Sequence, residues 1–289
     1  MKVWLDGRVM DGDEARIPVT DHGFLYGDGV FEGMRVHARR VFRMDDHMAR
    51  IDAGARAIGL EIPGGSDALR GVVLETARAL GADDAYLRLV VSRGEGGLGV
   101  DPTLCPVARI VCIADHIRIY PPELLRTGIS MVTSTWRRPP ADVLDPRVKS
   151  LNYLNNALAK QEARRQGADE ALLLNAAGNI AEASVANVFL VRDGVLLTPP
   201  PIDGALEGIT RRTVLELAAA DGSPTRECSL GRFDVFAASE VFLTGSGAGI
   251  VPVRSLDGQA IGKGEPGPVV HRLQQAFDRF AASEGTPID

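Results

Sequence analysis

The sequence predicts an α+β fold. Three Asp-Gly pairs, Asp6-Gly7, Asp193-Gly194 and Asp257-Gly258, each interrupt alternating apolar residues. A two-residue type I′ hairpin turn needs positive φ at both central positions, which Asp-Gly tolerates, so antiparallel strands are abundant. Helical periodicities run over 45–59, 66–81, 150–166, 209–221 and 268–284. Hairpins and helices follow one another without regular βαβ alternation.

Taken in order, the first hairpin turns at Asp6-Gly7. The first two helices are opened by Asp45-Asp46 and Ser66-Asp67, read as N-caps. Apolar runs at 85–91, 107–114 and 240–244 read as buried strands. The stretch 119–128 has two prolines and no clear period, and is expected to link a domain of residues 1–118 to a larger one of 129–289. A second proline-rich loop, Arg137-Arg138-Pro139-Pro140, leads toward Lys149. The tail after Ala281 is expected to fray.

Composition narrows the function. The 289 residues are 45% apolar and 24% charged, with a net charge of −6, which argues against a nucleic-acid binder. No apolar run reaches the ~18 residues of a membrane span, and the start of the chain does not read as a signal peptide. Three cysteines, Cys105, Cys112 and Cys228, without C-x-x-C spacing fit a reducing cytoplasm rather than a disulfide framework. The five histidines have no i, i+4 pairing, so no metal site is expected. There is no G-x-S-x-G elbow, and Tyr26-Gly-Asp-Gly-Val-Phe-Glu-Gly33 lacks the spacing of a dinucleotide fingerprint.

Lysine is scarce: of 32 basic residues only Lys2, Lys149, Lys160 and Lys263 are lysines, leaving 32 − 4 = 28 arginines. Codon usage is enough to explain the ratio, yet it shortens the list of candidate amines, because arginine cannot lose its proton and act as a nucleophile. Lys2 is terminal, Lys263 lies in a glycine-rich loop, and helical stepping places Lys160 on a solvated face. Lys149 opens the helical segment 150–166, whose Leu151, Leu154 and Leu158 share one face. Two segments suit an anion: Gly208-Ile209-Thr210-Arg211 at the start of a helix, and the small-residue loop Thr244-Gly-Ser246-Gly247-Ala248-Gly249 after a strand. With Glu182 in Asn179-Ile-Ala-Glu-Ala-Ser-Val-Ala-Asn187, these supply an amine, an anion cradle and an acid, the set pyridoxal 5'-phosphate requires.

The chain resembles the fold-type IV pyridoxal-phosphate enzymes, and most closely the branched-chain amino acid aminotransferases. The resemblance runs from Tyr26 to about Ala276 and rests on Tyr26-Gly-Asp-Gly-Val-Phe31-Glu-Gly33-Met-Arg35, His47-Met-Ala-Arg50, Tyr86-Leu-Arg88 and Gly97-Leu-Gly-Val100-Asp-Pro. It implies a small α/β domain plus a larger pseudo-barrel domain, in a homodimer. It further implies that Lys149 holds the cofactor covalently, that Tyr153 bonds its phenolic oxygen, and that Glu182 pairs with its ring nitrogen. Arg50, Ile209, Thr210 and Ser246 would bind phosphate, and the Gly247 and Ala248 amides the substrate carboxylate. Tyr26, Phe31, Arg35, Tyr86, Arg88 and Val100 would line the substrate side. Phe31 and Tyr86 give an apolar wall, and Arg88 is the cation chosen for the second carboxylate of glutamate.

The activity so implied is ping-pong transamination between a branched-chain L-amino acid and 2-oxoglutarate. The alternatives within the same fold are a D-amino acid or (R)-amine aminotransferase and an aminodeoxychorismate lyase. An Arg-x-His pair usual in the D-specific enzymes is missing after Arg93. A non-catalytic cofactor-binding protein would have kept the same residues with no reaction to use them. Two departures from the pattern, Ala183 in place of a glycine and Gly249 in place of an acid, bear on the pocket rather than on the reaction.

Overall fold

The computed structural model describes all 289 residues and divides into two compact units. The first comprises Met1–Ile117, Val148–Asn152 and Ala281–Asp289; the second comprises Arg118–Arg147 and Tyr153–Phe280.

In the first unit the strands are β1 (Lys2–Leu5), β2 (Arg8–Asp11), β3 (Gly29–His37), β4 (Arg40–Val41), β5 (Ala85–Ser92) and β6 (Arg109–Asp115). With the terminal strand Thr286–Pro287 they form one antiparallel sheet, ordered terminal strand, β4, β3, β5, β6, β1, β2. Helices α1 (His22–Tyr26), α2 (Met44–Ala57) and α3 (Gly65–Leu80) accompany it. Val30, Met34 and Val36 of β3 and Leu87, Leu89 and Val91 of β5 pack with Met48 and Ile51 of α2 and Leu69 and Val73 of α3. Alternation along a strand then turns Phe31, Gly33 and Arg35, with their partners Val90, Arg88 and Tyr86, to the opposite face.

Three expectations for this unit need correction. Asp45 and Asp46 lie inside the first turn of α2, after Arg43 in a left-handed conformation, and Asp67 lies inside α3 after a left-handed Gly64. These acids face the positive helix end rather than cap it. The tail does not fray: Thr286–Pro287 pairs with β4 and Ile288 is fully buried in the first core. Lys149 opens no helix. Ser150 bridges to Val30, and Leu151 donates its N–H to the Gly29 carbonyl at 3.0 Å, so the segment runs along the start of β3.

The second unit starts with α4 (Pro122–Thr127), whose Leu124 and Leu125 pack with buried Tyr120 against its core, so the stretch read as a linker is part of a folded body. Then come β7 (Ile129–Arg137), α5 (Ala141–Leu144), α6 (Leu154–Arg165), β8 (Glu170–Leu174), β9 (Ile180–Ala183), β10 (Asn187–Arg192), β11 (Val195–Thr198), α7 (Ile209–Ala220) and β12 (Thr225–Glu227). The unit ends with α8 (Arg232–Phe236), β13 (Glu240–Gly245), β14 (Gly249–Leu256), β15 (Gln259–Ala260) and α9 (Pro268–Ser283) as far as Phe280. The sheet runs β12-β11-β10-β13-β14-β7-β8-β9, with β15 on β14 and parallel pairs at β11–β12, β14–β7 and β7–β8. Stacked Phe189 and Phe242, 5.0 Å apart, join β10 to β13.

All three Asp-Gly pairs have positive φ at both residues, as a type I′ turn demands. The α+β reading holds. Helix α6 starts five residues later than Lys149 and buries Asn156, Ala159 and Ala163, while Leu154 is 70% exposed, so the leucine stripe is not its inner face. Lys160 is not on a solvated face either. Its Nζ donates to Glu170 Oε2 and to the Asp169 carbonyl, each at 2.7 Å, because fully buried Glu170 needs a cation.

Candidate active site

The first unit gathers five of the expected residues on the face of β3 and β5 opposite its core. Arg88 lies over the Phe31 ring, 4.4 Å from its centroid, and donates Nη2–H to the Tyr86 hydroxyl at 2.9 Å. Gly33 makes room for that hydroxyl, since a Cβ on residue 33 would stand 2.2 Å from it. Lys149 Nζ is 4.6 Å from the same Phe31 centroid, held there because Phe31 donates its N–H to the Lys149 carbonyl at 2.9 Å. Arg35, paired with Tyr86 across the strands, shares this face. Arg88 Nε is buried with no hydrogen-bond partner, an unmet donor beside an aromatic wall.

On the core side, the intervening residue Glu32 is fully buried and faces α2. Burial pushes its carboxyl up, but the Arg50 guanidinium and His47 more than offset this and hold it far below the ordinary carboxylate range. His47 Nδ1 is 2.7 Å from Glu32 Oε2, and burial lowers the pKa of its imidazole despite that neighbour. Glu32 and His47 sit inside motifs quoted from the sequence but were given no role there. The signal was the i, i+3 spacing of His47 and Arg50 on one helix, opposite the single acid of β3.

Tyr26 and Val100 stand on the loop side of the same unit. The Tyr26 hydroxyl accepts the Gly99 N–H at 2.9 Å, and Val100 is 80% exposed.

The second unit gathers the remaining residues around Asn187. Its Nδ2 donates to Glu182 Oε2 at 3.3 Å and to the Leu206 carbonyl at 2.8 Å. A Cβ on Gly208 would stand 1.9 Å from Asn187 Oδ1, so only glycine allows α7 to start so close. Ile209 and Thr210 open that helix, buried, with no side-chain cap on its first N–H groups. Across the sheet Asn187 pairs with Thr244, and the hairpin beyond it carries Ser246, Gly247 and Ala248, closed by Gly249 at φ +69°. Tyr153 precedes α6, half-buried.

Glu182, 4% exposed, accepts three donors: Arg138 Nη2 at 2.8 Å, the Leu206 N–H at 3.0 Å and Asn187 Nδ2. Arg138, Asn156 and the Leu206 amide were not found by sequence reasoning. The only trace of Asn187 was its place five residues after Glu182, across the tight β9–β10 connection in which Ala183 N–H meets the Ala186 carbonyl at 2.7 Å.

The model of the family described as amino-transferase class IV matches residues 29–256. Over its full length the chain is 44% identical to a candidate branched-chain-amino-acid aminotransferase of Methanocaldococcus jannaschii, covering 99% of that protein. The crystal structure of the Escherichia coli branched-chain amino acid aminotransferase superposes with a TM-score of 0.94 at 35% identity, over 98% of this chain and 95% of that one. The T.th. branched-chain amino acid aminotransferase complexed with N-(5'-phosphopyridoxyl)-L-glutamate gives a TM-score of 0.92 at 36% identity, over 97% and 94%. The chain belongs to the class IV aminotransferases, enzymes that depend on pyridoxal phosphate.

Proposed function

We propose that this aminotransferase moves the amino group of a branched-chain L-amino acid to 2-oxoglutarate in a ping-pong cycle. The observation that carries the reading is the Phe31 ring, with the Lys149 amine and the Arg88 guanidinium each within 5 Å of its centroid. An apolar side chain gains roughly 0.8 kcal/mol per CH₂ buried against such a wall. The second carboxylate of glutamate or 2-oxoglutarate needs a cation, and Arg88, with its buried unmet Nε, offers one. The relative whose structure holds phosphopyridoxyl-L-glutamate supports the same choice of amino acid.

The residues fit pyridoxal phosphate. Ser184 Oγ, two residues after Glu182, and Thr244 Oγ1, two residues before Ser246, are buried without partners, and the start of α7 presents N–H groups that no side chain caps. When bound, the cofactor supplies a carbonyl for the amino group and a ring that takes up electrons as the substrate Cα loses its proton. Lys149 Nζ would hold that carbonyl and, once released as a free amine, move the proton at Cα. Glu182 would keep a proton on the ring nitrogen, and Tyr153 would donate to the phenolic oxygen. Arg50, Ile209, Thr210 and Ser246 would bind the phosphate, with the Gly247 and Ala248 amides on the substrate carboxylate. Tyr26, Arg35, Tyr86 and Val100 would complete the substrate side.

A homodimer suits the loop after β5, where Leu98 and Val100 are about four-fifths exposed. No helix is long and apolar enough to cross a membrane, and three free cysteines support a cytoplasmic setting. The test is a donor panel of L-leucine, D-alanine and (R)-1-phenylethylamine with 2-oxoglutarate as acceptor. L-Leucine is the expected donor; turnover with D-alanine or the (R)-amine and none with L-leucine would overturn the assignment.

A further inference from the structure

We infer that Arg138 is a positioning residue that fixes Glu182 as an ionised acceptor, and so decides on which side of the contact with the cofactor ring nitrogen the proton rests. The inference builds on the role proposed for Glu182. Arg138 is 7% exposed, and each of its nitrogens has an acceptor: Nη2 meets Glu182 Oε1 at 2.8 Å, Nη1 meets Asn156 Oδ1 at 3.0 Å and Nε meets the Gly204 carbonyl at 3.2 Å. Asn156 is itself held, since its Nδ2 donates to the Ser184 carbonyl at 2.6 Å. The backbone is held as well, with the Arg138 N–H on the Leu174 carbonyl at 2.9 Å. The guanidinium is thus aimed by three separate segments at one carboxylate.

The chemistry follows from the charges. A guanidinium stays protonated in a protein, so Glu182 sits against a permanent cation in a dry site. A proton on the carboxylate is disfavoured by that cation; a proton on a partner farther from the guanidinium is disfavoured less. The contact therefore resolves as carboxylate and protonated ring nitrogen rather than carboxylic acid and bare nitrogen. A ring nitrogen that keeps its proton would make the bound cofactor the stronger sink for the electron pair left at the substrate Cα. A purely structural ion pair would stabilise the fold without moving that proton.

The test uses holoenzyme reconstituted with pyridoxal phosphate labelled with nitrogen-15 at the ring nitrogen. In the wild type the ring nitrogen is expected to resonate at its protonated position across pH 6–9 (roughly the neutral range). Arg138→Gln should move it toward the unprotonated position and lower kcat by about 10- to 100-fold with little change in KM. Arg138→Lys, which restores the charge without the fork, should recover the protonated signal. A wild-type ring nitrogen that is unprotonated would overturn the inference without any variant, which covers the case in which Arg138→Gln does not fold. So would an Arg138→Gln enzyme with the wild-type signal and kcat. Glu182→Gln separates the two levels: if it too leaves signal and kcat unchanged, the role of Glu182 has failed; if it changes both while Arg138→Gln changes neither, only the inference has.

Discussion

Arg50 grips Glu32 through two parallel bonds, Nε to Oε1 at 2.7 Å and Nη2 to Oε2 at 2.8 Å. Both ends lie away from solvent, and His47 completes the carboxylate. This fork aims the guanidinium that the family resemblance assigns to phosphate, so damage to Glu32 should reach cofactor binding. Glu32→Gln is expected to destabilise the protein by about 3 kcal/mol, as when one partner of a buried ion pair is lost, and to weaken cofactor retention on dialysis.

The same pair predicts a pH dependence. Glu32 is held below its ordinary value of 4.5, so its contribution is complete above that pH and is lost as the pH falls toward the native value. His47 is held below 6.5 by burial, so the unfolded chain takes up its proton first and stability begins to fall below pH 6.5. Both effects have the same sign. The wild-type melting temperature should begin to fall below pH 6.5 and keep falling below pH 4.5, and a midpoint that stays level from pH 7 to 4 would argue against this account.

Lys149→Ala should leave a folded protein without a covalent link to the cofactor. Turnover is expected to fall by about a thousand-fold or more, since both the nucleophile and the proton carrier go. Borohydride treatment followed by dialysis should leave the variant colourless; retained absorbance would mean that another amine carries the cofactor.

Arg88→Ala should separate the two half-reactions. Glutamate and 2-oxoglutarate lose their second-carboxylate partner, at a cost of about 2 kcal/mol for a charge-assisted bond, whereas leucine loses little. Single-turnover spectra with each donor read the difference. Gly33→Ala should give a milder version, because its Cβ would displace the Tyr86 hydroxyl to which Arg88 donates.

Ile288→Ala should cost about 2–4 kcal/mol, like other large-to-small changes in a core. Thermal unfolding would detect it. An unchanged midpoint would mean that the tail adds nothing to the first core, where Ile288 is fully buried.

What could be read from the sequence was local. Asp-Gly turns are legible because two adjacent residues carry the whole requirement, and the helices at 209–221 and 268–284 show their period within a few turns. Lys149 was placed by a leucine spacing that mimics a helix, while the strand its segment runs along, at Val30, is more than a hundred residues away in β3. Lys160 was assigned to solvent because nothing within a helical turn reveals Glu170. Arg138 and Glu182 meet across 44 residues, and no periodicity announces a cation beneath a carboxylate. Strand alternation marks Glu32 and Phe31 as facing opposite ways, but only the packed helix shows which way is inward.

The terminal strand sets an order of assembly on the ribosome. The first unit begins with residue 1 yet needs Thr286–Pro287 to cover β4 and Ile288 to close its core, so it cannot be completed until those residues have been made and have emerged. The second unit ends at Phe280 and has all of its residues earlier. Synthesis usually lets the amino-terminal body fold first; here the body that starts first finishes last, and until then β4 offers a nascent chain's open edge to its surroundings.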